Sequence, residues 1–565
     1  MGRTDLRFLA LVLAVTAACA LPQLGGPIDA RSDGAVYYIL GTSLAEGRGY
    51  RLLNEPGDIA AVQYPPLLPL VVAASQRALG TSDFVVVGTW LRWLYAVTWL
   101  GLAAATYLMA RSSLPPLRAF VATVIAGVAL HVWYLAGVLY TEIPFSLVAV
   151  AFVLCARRAE RAPYWLVTAA LGITGYLLRT AGLALLLAWI AEALLPRADR
   201  RPLASRISRA AARTVVALVP VVAWQVYVGS VTSSPAYAHP AYPYQRAAYQ
   251  YSNVPYLENM DLVSPFVPEE GRLTTRGRIA RFASNVAVVP ASLGGAVTAQ
   301  RAFWEMTIAV VNRRVLGRDV LPAAAALVPM SVLGLVVLAG AGEMVRRREW
   351  LVPLACAAAT ASMCLTPWPE QFVRYYTPMT PFLAVMLVLS VGRIVDRGAA
   401  AGLARWARRA VALAVLALVL GQDVFVAAWT FIVQGARTVV FESADGRRAA
   451  SARLLFYDDR FAALDAAALE VRRRARPGDV MATSMPHWTF LRTGVDAILP
   501  PMVVDGEEAR RLLDAVPVRF VVLDDIGYPG ISQRYAAPAV EAAGRQWEEV
   551  YRTADGLARV YERRW

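Results

Sequence analysis

Apolar runs long enough to cross a bilayer recur along this chain, near 7–24, 84–108, 118–135, 141–156, 163–178, 180–195, 214–230, 320–341, 350–366, 376–392 and 410–432. A hydrocarbon core of about 30 Å takes roughly 20 helical residues. The pattern therefore predicts a polytopic α-helical membrane protein with about 11 transmembrane helices, the pair within 163–195 being split at Arg179-Thr180. Two longer polar stretches interrupt the series, 25–82 and 231–319, the second with helical patterning over 276–288 and 300–314. After about residue 433 the period changes. Phe461 to Arg476 has helical spacing, Val480-Met481-Ala482-Thr483 and Val518 to Leu523 read as strands around a helical 506–515, and 547–552 with 557–563 alternate like a hairpin. The expected organisation is a transmembrane domain, 1–432, followed by a small C-terminal extracytoplasmic α/β domain, 433–565.

Composition sharpens this picture. The 565 residues are 58% hydrophobic and only 17% charged, a balance that excludes a soluble enzyme of this length. All 56 basic side chains are arginine, and the formal charge is +15. That charge does not imply nucleic acid, because the arginines sit in short segments between apolar runs: Arg3 and Arg7, Arg111 and Arg118, Arg157-Arg158-Arg161, Arg197 to Arg213, Arg346-Arg347-Arg348, and Arg393 to Arg409. Such clustering is the positive-inside signature. It assigns those segments and the N-terminus to the cytoplasm, and an odd number of spans then places 25–82, 231–319 and the tail outside. The first run, with its basic start and Val15 to Cys19, has features of a signal peptide but reads better as an uncleaved helix. The four cysteines all lie in apolar spans, which argues against a disulfide framework.

Candidate chemistry concentrates in 25–82. Asp33 stands where a helix begins, an ordinary capping position. Asp29, four residues earlier, is a second carboxylate near the end of the first span, so the two acids have the means to hold a metal ion or to divide base and orienting roles. Arg92 lies inside the second span, where a lone charge costs at least about 2–3 kcal/mol, and Glu142 is its candidate partner. The tyrosines from 237 to 256 read first as an interfacial belt. The three histidines, His131, His239 and His487, lack ligand spacing and give no zinc site.

Several short segments, in one order, resemble the GT-C superfamily of membrane glycosyltransferases, especially glycosyltransferase family 39 and relatives such as the protein O-mannosyltransferases and the aminoarabinose transferases of lipid A. They are Asp33 with Tyr37, Leu44-Ala45-Glu46-Gly47-Arg48-Gly49-Tyr50, Tyr64-Pro65-Pro66-Leu67, Tyr140-Thr141-Glu142-Ile143-Pro144, Leu178-Arg179-Thr180 and Arg374-Tyr375-Tyr376-Thr377-Pro378. Many members carry an acid directly after the aspartate, and this chain has Gly34, so Asp29 or Glu142 would supply any second carboxylate. The resemblance implies transfer of a sugar from a polyprenyl-phosphate donor to a glycan, lipid or protein acceptor, in a bacterial-type inner (plasma) membrane. It implies Asp33 as general base, assisted by Glu142 or Asp29. Arg179, Arg374 and Arg92 would meet the donor phosphate, since a planar, always-charged guanidinium matches phosphate oxygens. Tyr37, Tyr64 and Tyr375 would line the substrate site. No cofactor is required; a divalent ion on Asp33 and Glu142 is the option the resemblance leaves open, as some members use one. The competing class is a transporter or flippase for a lipid-linked glycan, which would place more of its charge inside the bundle.

Overall fold

The computed structural model describes residues 2–564 apart from 160, 196–201, 299–300, 401, 403, 430–436, 444–445 and 527–529. The expected boundary at 432/433 and Arg197, Arg200 and Arg201 of the basic clusters fall outside the described residues. Among the described residues, six helices are long and apolar enough to cross a membrane: Arg3–Gln23, Phe84–Arg111, Leu203–Thr232, Ala323–Arg346, Pro369–Arg397 and Arg405–Val426. Two bent pairs, Pro116–Val128 with Leu130–Ala136 and Thr275–Val297 with Arg301–Leu316, raise the number to eight if each pair is one span. The second pair occupies the region expected to hold only short surface helices.

Four of the apolar runs predicted as spans form shorter helices instead: Glu142–Ala156, Ala162–Leu178, Thr180–Leu194 and Leu351–Met363. At 1.5 Å per residue even about 17 residues reach only about 25 Å. Their ends explain the shortness, because Thr141, Leu178 with Arg179, and Met363 mark where these helices stop beside an internal cavity. The turn between the second and third is tight. Gly182 lies so close to the backbone of Gly175 and Tyr176 that a Cβ there would approach to 2.4 Å. The chain folds back on itself there and leaves Arg179 at the bend, in extended backbone.

Long helices elsewhere cross through small residues. A Cβ on Gly294 would meet the Met330 carbonyl at 1.9 Å, one on Gly334 the Pro290 carbonyl, and one on Gly340 the Met386 carbonyl. This is the close backbone approach by which helices associate in lipid, where van der Waals packing replaces the hydrophobic effect. Val215, Leu218, Val219, Val222 and Val226 remain exposed along Leu203–Thr232, a face that suits hydrocarbon. The arginine-bearing segments meet one another. Glu343 accepts from Arg346, Arg347 and Arg393, Glu349 from Arg157 and Ser113, Asp396 from Arg118, and Asp5 from Arg111.

The polar segments gather on the site. Helix Asp33–Ala45 packs on Leu67–Leu79, with Gly41 against Val72. In the tail, five strands run in the order Asp496–Ile498, Val480–Ala482, Val518–Asp524, Ala558–Arg563, Trp547–Arg552. The first three are parallel, and the last two form the antiparallel hairpin that the alternation predicts. Helices Asp459–Arg474 and Pro486–Thr493 pack together beside this sheet. The tail is fastened to the first loop by Arg31, which donates to the carbonyls of Leu455 (2.6 Å) and Phe456 (2.9 Å), and by Asn54, which exchanges two hydrogen bonds with Ala497. Buried Glu55 in turn accepts from Tyr242 (2.6 Å) and Gln245 (3.1 Å), tying the first loop to the second.

Candidate active site

Asp33 opens its helix, but neither it nor Ser32 caps it. Ser32 is held at φ +55°, a left-handed conformation costly for a residue with a side chain, and makes no capping bond. Its neighbours fix it. Asp29 receives Arg31 through its backbone N–H (3.0 Å) and through the guanidinium (2.6 Å at the shortest). The Asp29 backbone bonds Gly137 and Leu139 in a short parallel bridge. Gly34 approaches Leu139 so closely that a Cβ would lie 3.3 Å from its carbonyl, so a second acid after Asp33 would crowd this wall.

The freed Asp33 carboxylate turns to two donors, Tyr64 Oη at 3.0 Å on Oδ1 and Arg374 Nη2 at 2.6 Å on Oδ2. Arg374 then reaches Glu142 Oε1 through Nε (2.9 Å) and Gln371 through Nη1 (3.2 Å), with its charge over the Tyr140 ring. Arg179 Nη1 meets the same Glu142 oxygen at 2.8 Å and lies over Tyr375. The result is an alternating chain, Asp33–Arg374–Glu142–Arg179, drawn from four separate segments. Glu142 is fully buried, and its second oxygen, Oε2, has no hydrogen-bond partner among the described residues. Left unpaired away from water, such an oxygen is an acceptor waiting for a donor.

Asp33, Arg179 and Arg374 of this chain line a cavity of about 480 Å³, and Glu142 is buried next to Thr141 of its wall. One side is aromatic: Tyr37 packs edge-on to Tyr64, Tyr64 on Tyr251, and Tyr251 and Tyr256 on Trp368. The other is apolar, with Leu178, Leu183, Leu187, Ala359 and Met363. Ser484 to Trp488 of the tail line it as well. His487 Nε2 is buried without a partner among the described residues, and burial pushes the imidazole down to about 4, with the Asp33 charge pulling the other way.

Asp33, Arg179, Arg374, Tyr37, Tyr64 and Tyr375 thus all come together at one cavity, and Glu142, buried and paired to both arginines, is joined to it through them. Asp29 and Arg92 do not join them. Asp29 is committed to Arg31, and Arg92 donates to the carbonyls of Gln23 and Pro27 rather than to Glu142. Backbone carbonyls just after the first helix thus take the two terminal nitrogens of this buried guanidinium. The tyrosines are not a belt at the bilayer surface. Tyr249, Tyr251 and Tyr256 face the cavity, whereas Tyr242 and Tyr244 pack into the core beneath the tail sheet. His487 and Trp368 carry no motif. The signal for His487 was its place just after a parallel strand, where sheets of this kind present ligand-contacting residues. A divalent ion does not fit this donor set, because the Arg374 guanidinium already occupies the position between the two carboxylates.

No family profile matches the chain, and no curated protein sequence does. Its fold is shared with an archaeal oligosaccharyltransferase of known structure. The apo oligosaccharyltransferase of Archaeoglobus fulgidus superposes with a TM-score of 0.54 at 14% identity, over 99% of this chain and 74% of the other. The same enzyme with an inhibitory peptide and dolichol-phosphate gives 0.52 at 13% identity, with the same coverage. ArnT of Cupriavidus metallidurans bound to undecaprenyl phosphate aligns over 98% of this chain and 97% of its own, at 12% identity and a TM-score of 0.40. The fold assignment rests on the first two.

Proposed function

We propose, from a fold shared with GT-C glycosyltransferases, that this protein moves a sugar from a polyprenyl-phosphate donor to a hydroxyl-bearing acceptor outside a bacterial-type inner membrane. The observation that carries the reading is the alternating Asp33–Arg374–Glu142–Arg179 chain beside a cavity that is aromatic on one side and apolar on the other. The apolar side suits an isoprenoid, and the aromatic side suits sugar rings. Asp33, partly exposed to the cavity, takes the proton of the acceptor hydroxyl. The acceptor oxygen forms its bond to the anomeric carbon as the bond from that carbon to the phosphate oxygen breaks, with inversion. The electron pair leaves on the phosphate.

Arg179 is the group to meet that charge, since it lies at the bend between two short helices and its ion pair with Glu142 leaves part of the guanidinium facing the cavity. Arg374 acts through its neighbours, fixing both carboxylates at once. Asp29 and Arg92 are scaffold. Counting the four short helices and the bent pair Pro116–Val128 with Leu130–Ala136 as membrane-embedded beside the six long helices corresponds to the 11 apolar segments expected, with the N-terminus cytoplasmic and the site outside. On this reading 433–565 form a domain that closes the site from above.

The test is transfer of isotope-labelled sugar from a lipid donor in membranes carrying the protein. Asp33→Asn should abolish nearly all transfer, and full activity in that variant would reject the assignment. A flippase would go on moving its lipid in the same membranes.

A further inference from the structure

The tail's contribution to the cavity is specific. Strand Val480–Ala482 ends, Thr483 pairs its N–H with the Ile498 carbonyl (3.0 Å), and Ser484 donates to Asp524 (2.7 Å). Asp524 is itself held by Ser532 (2.7 Å) and by the N–H of Ile526 (3.0 Å). Pro486 then starts helix Pro486–Thr493. On the far side of His487, Trp488 is fully buried and donates its indole N–H to Asp465 at 2.6 Å. His487 is therefore gripped from both flanks, and its helix packs directly on helix Asp33–Ala45. A side chain so firmly positioned, with its outer nitrogen unpaired beside the reacting centre, has no structural partner among the described residues to explain it. Neutral imidazole can donate or accept at that atom, and a hydroxyl can do the reverse.

We infer that His487 binds a hydroxyl group of the substrate in the cavity it lines together with Asp33, so that the tail supplies a specificity contact and does more than close the site. The inference rests on the glycosyltransfer reading. The hydroxyl belongs either to the sugar being transferred or to the acceptor, and the chemistry at Nε2 is the same for both.

Binding separates the cases. The full-length protein in detergent, followed by its own tryptophan fluorescence, is titrated with undecaprenyl phosphate, with polyprenyl-phosphate hexoses and pentoses, and with alkyl glycosides as acceptor mimics. His487→Ala should bind the bare lipid phosphate as the native protein does and lose about tenfold in affinity for one sugar-bearing class, the scale of one buried hydrogen bond left unmade. His487→Gln, which keeps a donor and an acceptor, should recover most of it. Loss confined to the lipid-linked sugars assigns the donor, and loss confined to the alkyl glycosides assigns the acceptor. Unchanged affinity for every probe overturns the proposal, as does equal loss for all of them, bare phosphate included, which would make His487 a packing residue. Arg179→Gln checks the underlying reading separately. If undecaprenyl phosphate binds that variant as tightly as the native protein, the donor assignment fails whatever His487 does.

Discussion

Two buried clusters in this protein use the same chemistry to opposite ends. In the tail, Asp465 accepts from Trp488 (2.6 Å) on one oxygen and from Tyr457 (2.8 Å) on the other, where Arg492 also approaches to 3.4 Å with its charge over Phe441. Both oxygens are used. Beside the apolar bundle, Glu142 shares one oxygen between Arg179 and Arg374 and leaves the other without a partner among the described residues, and Asp33 looks into open space. A closed carboxylate–arginine–aromatic cluster holds a fold together. An open one of the same composition leaves bonds unmade, which on the proposed function are kept for a substrate.

The largest effects should come from the open cluster. Asp33→Asn is expected to lower sugar transfer about 1000-fold, the range for a lost general base, while Tyr64 still has an oxygen to donate to and the fold survives. A melting curve beside the transfer assay distinguishes the two outcomes. If the Asp33→Asn protein unfolds instead, this cluster moves into the same class as the tail's. Arg179→Gln should cost about 100-fold in turnover, as for one lost oxyanion donor, with weaker retention of the lipid phosphate.

For the closed cluster the readouts reverse. Asp465→Asn is expected to cost about 2 kcal/mol of stability, the scale of hydrogen bonds to a charged group, with transfer per folded molecule unchanged. Denaturant or thermal unfolding measures the first, and specific activity the second. A loss of turnover without a loss of stability would mean that the tail is wired into the chemistry through Trp488 and His487, and the contrast between the clusters would collapse.

Most of the members of the open cluster were singled out in the amino-acid order, since Asp33, Tyr64, Glu142, Arg179 and Arg374 each sit in one of the short segments that resemble the GT-C glycosyltransferases. The pairing was not. Periodicity gives no distance between segments more than 300 residues apart, so Arg374 bridging to Asp33 was out of reach, and Arg92 was matched to the wrong partner because free carbonyls at a helix end are invisible to a search for opposite charges. Span length was not legible for a related reason. A run of apolar residues reports burial, and Leu351–Met363 is buried among helices without being long enough to cross by itself. The tyrosines were misassigned because an aromatic ring wet at one end looks the same in sequence at a lipid interface and in a cavity wall.

The smallest effect separates the clusters by pH. Burial in the open cavity lowers the His487 imidazole from its ordinary 6.5 to about 4. Between those values the unfolded chain takes up a proton that the folded chain does not, so this residue's share of stability is present above about 6.5 and is lost as the pH falls toward 4. Asp465 has the opposite sign, since burial raises its carboxyl above the usual range and its share is lost as the pH rises through that raised value. The difference between native protein and His487→Gln cancels the Asp465 contribution, as both carry it. Melting temperatures of the two proteins from pH 7.5 to pH 4.5 should therefore draw together or cross on the acid side, with the native protein falling faster. Parallel curves would mean that His487 is already hydrated or paired, and the open cavity would lose the neutral, unpartnered base that distinguishes its tail-side wall.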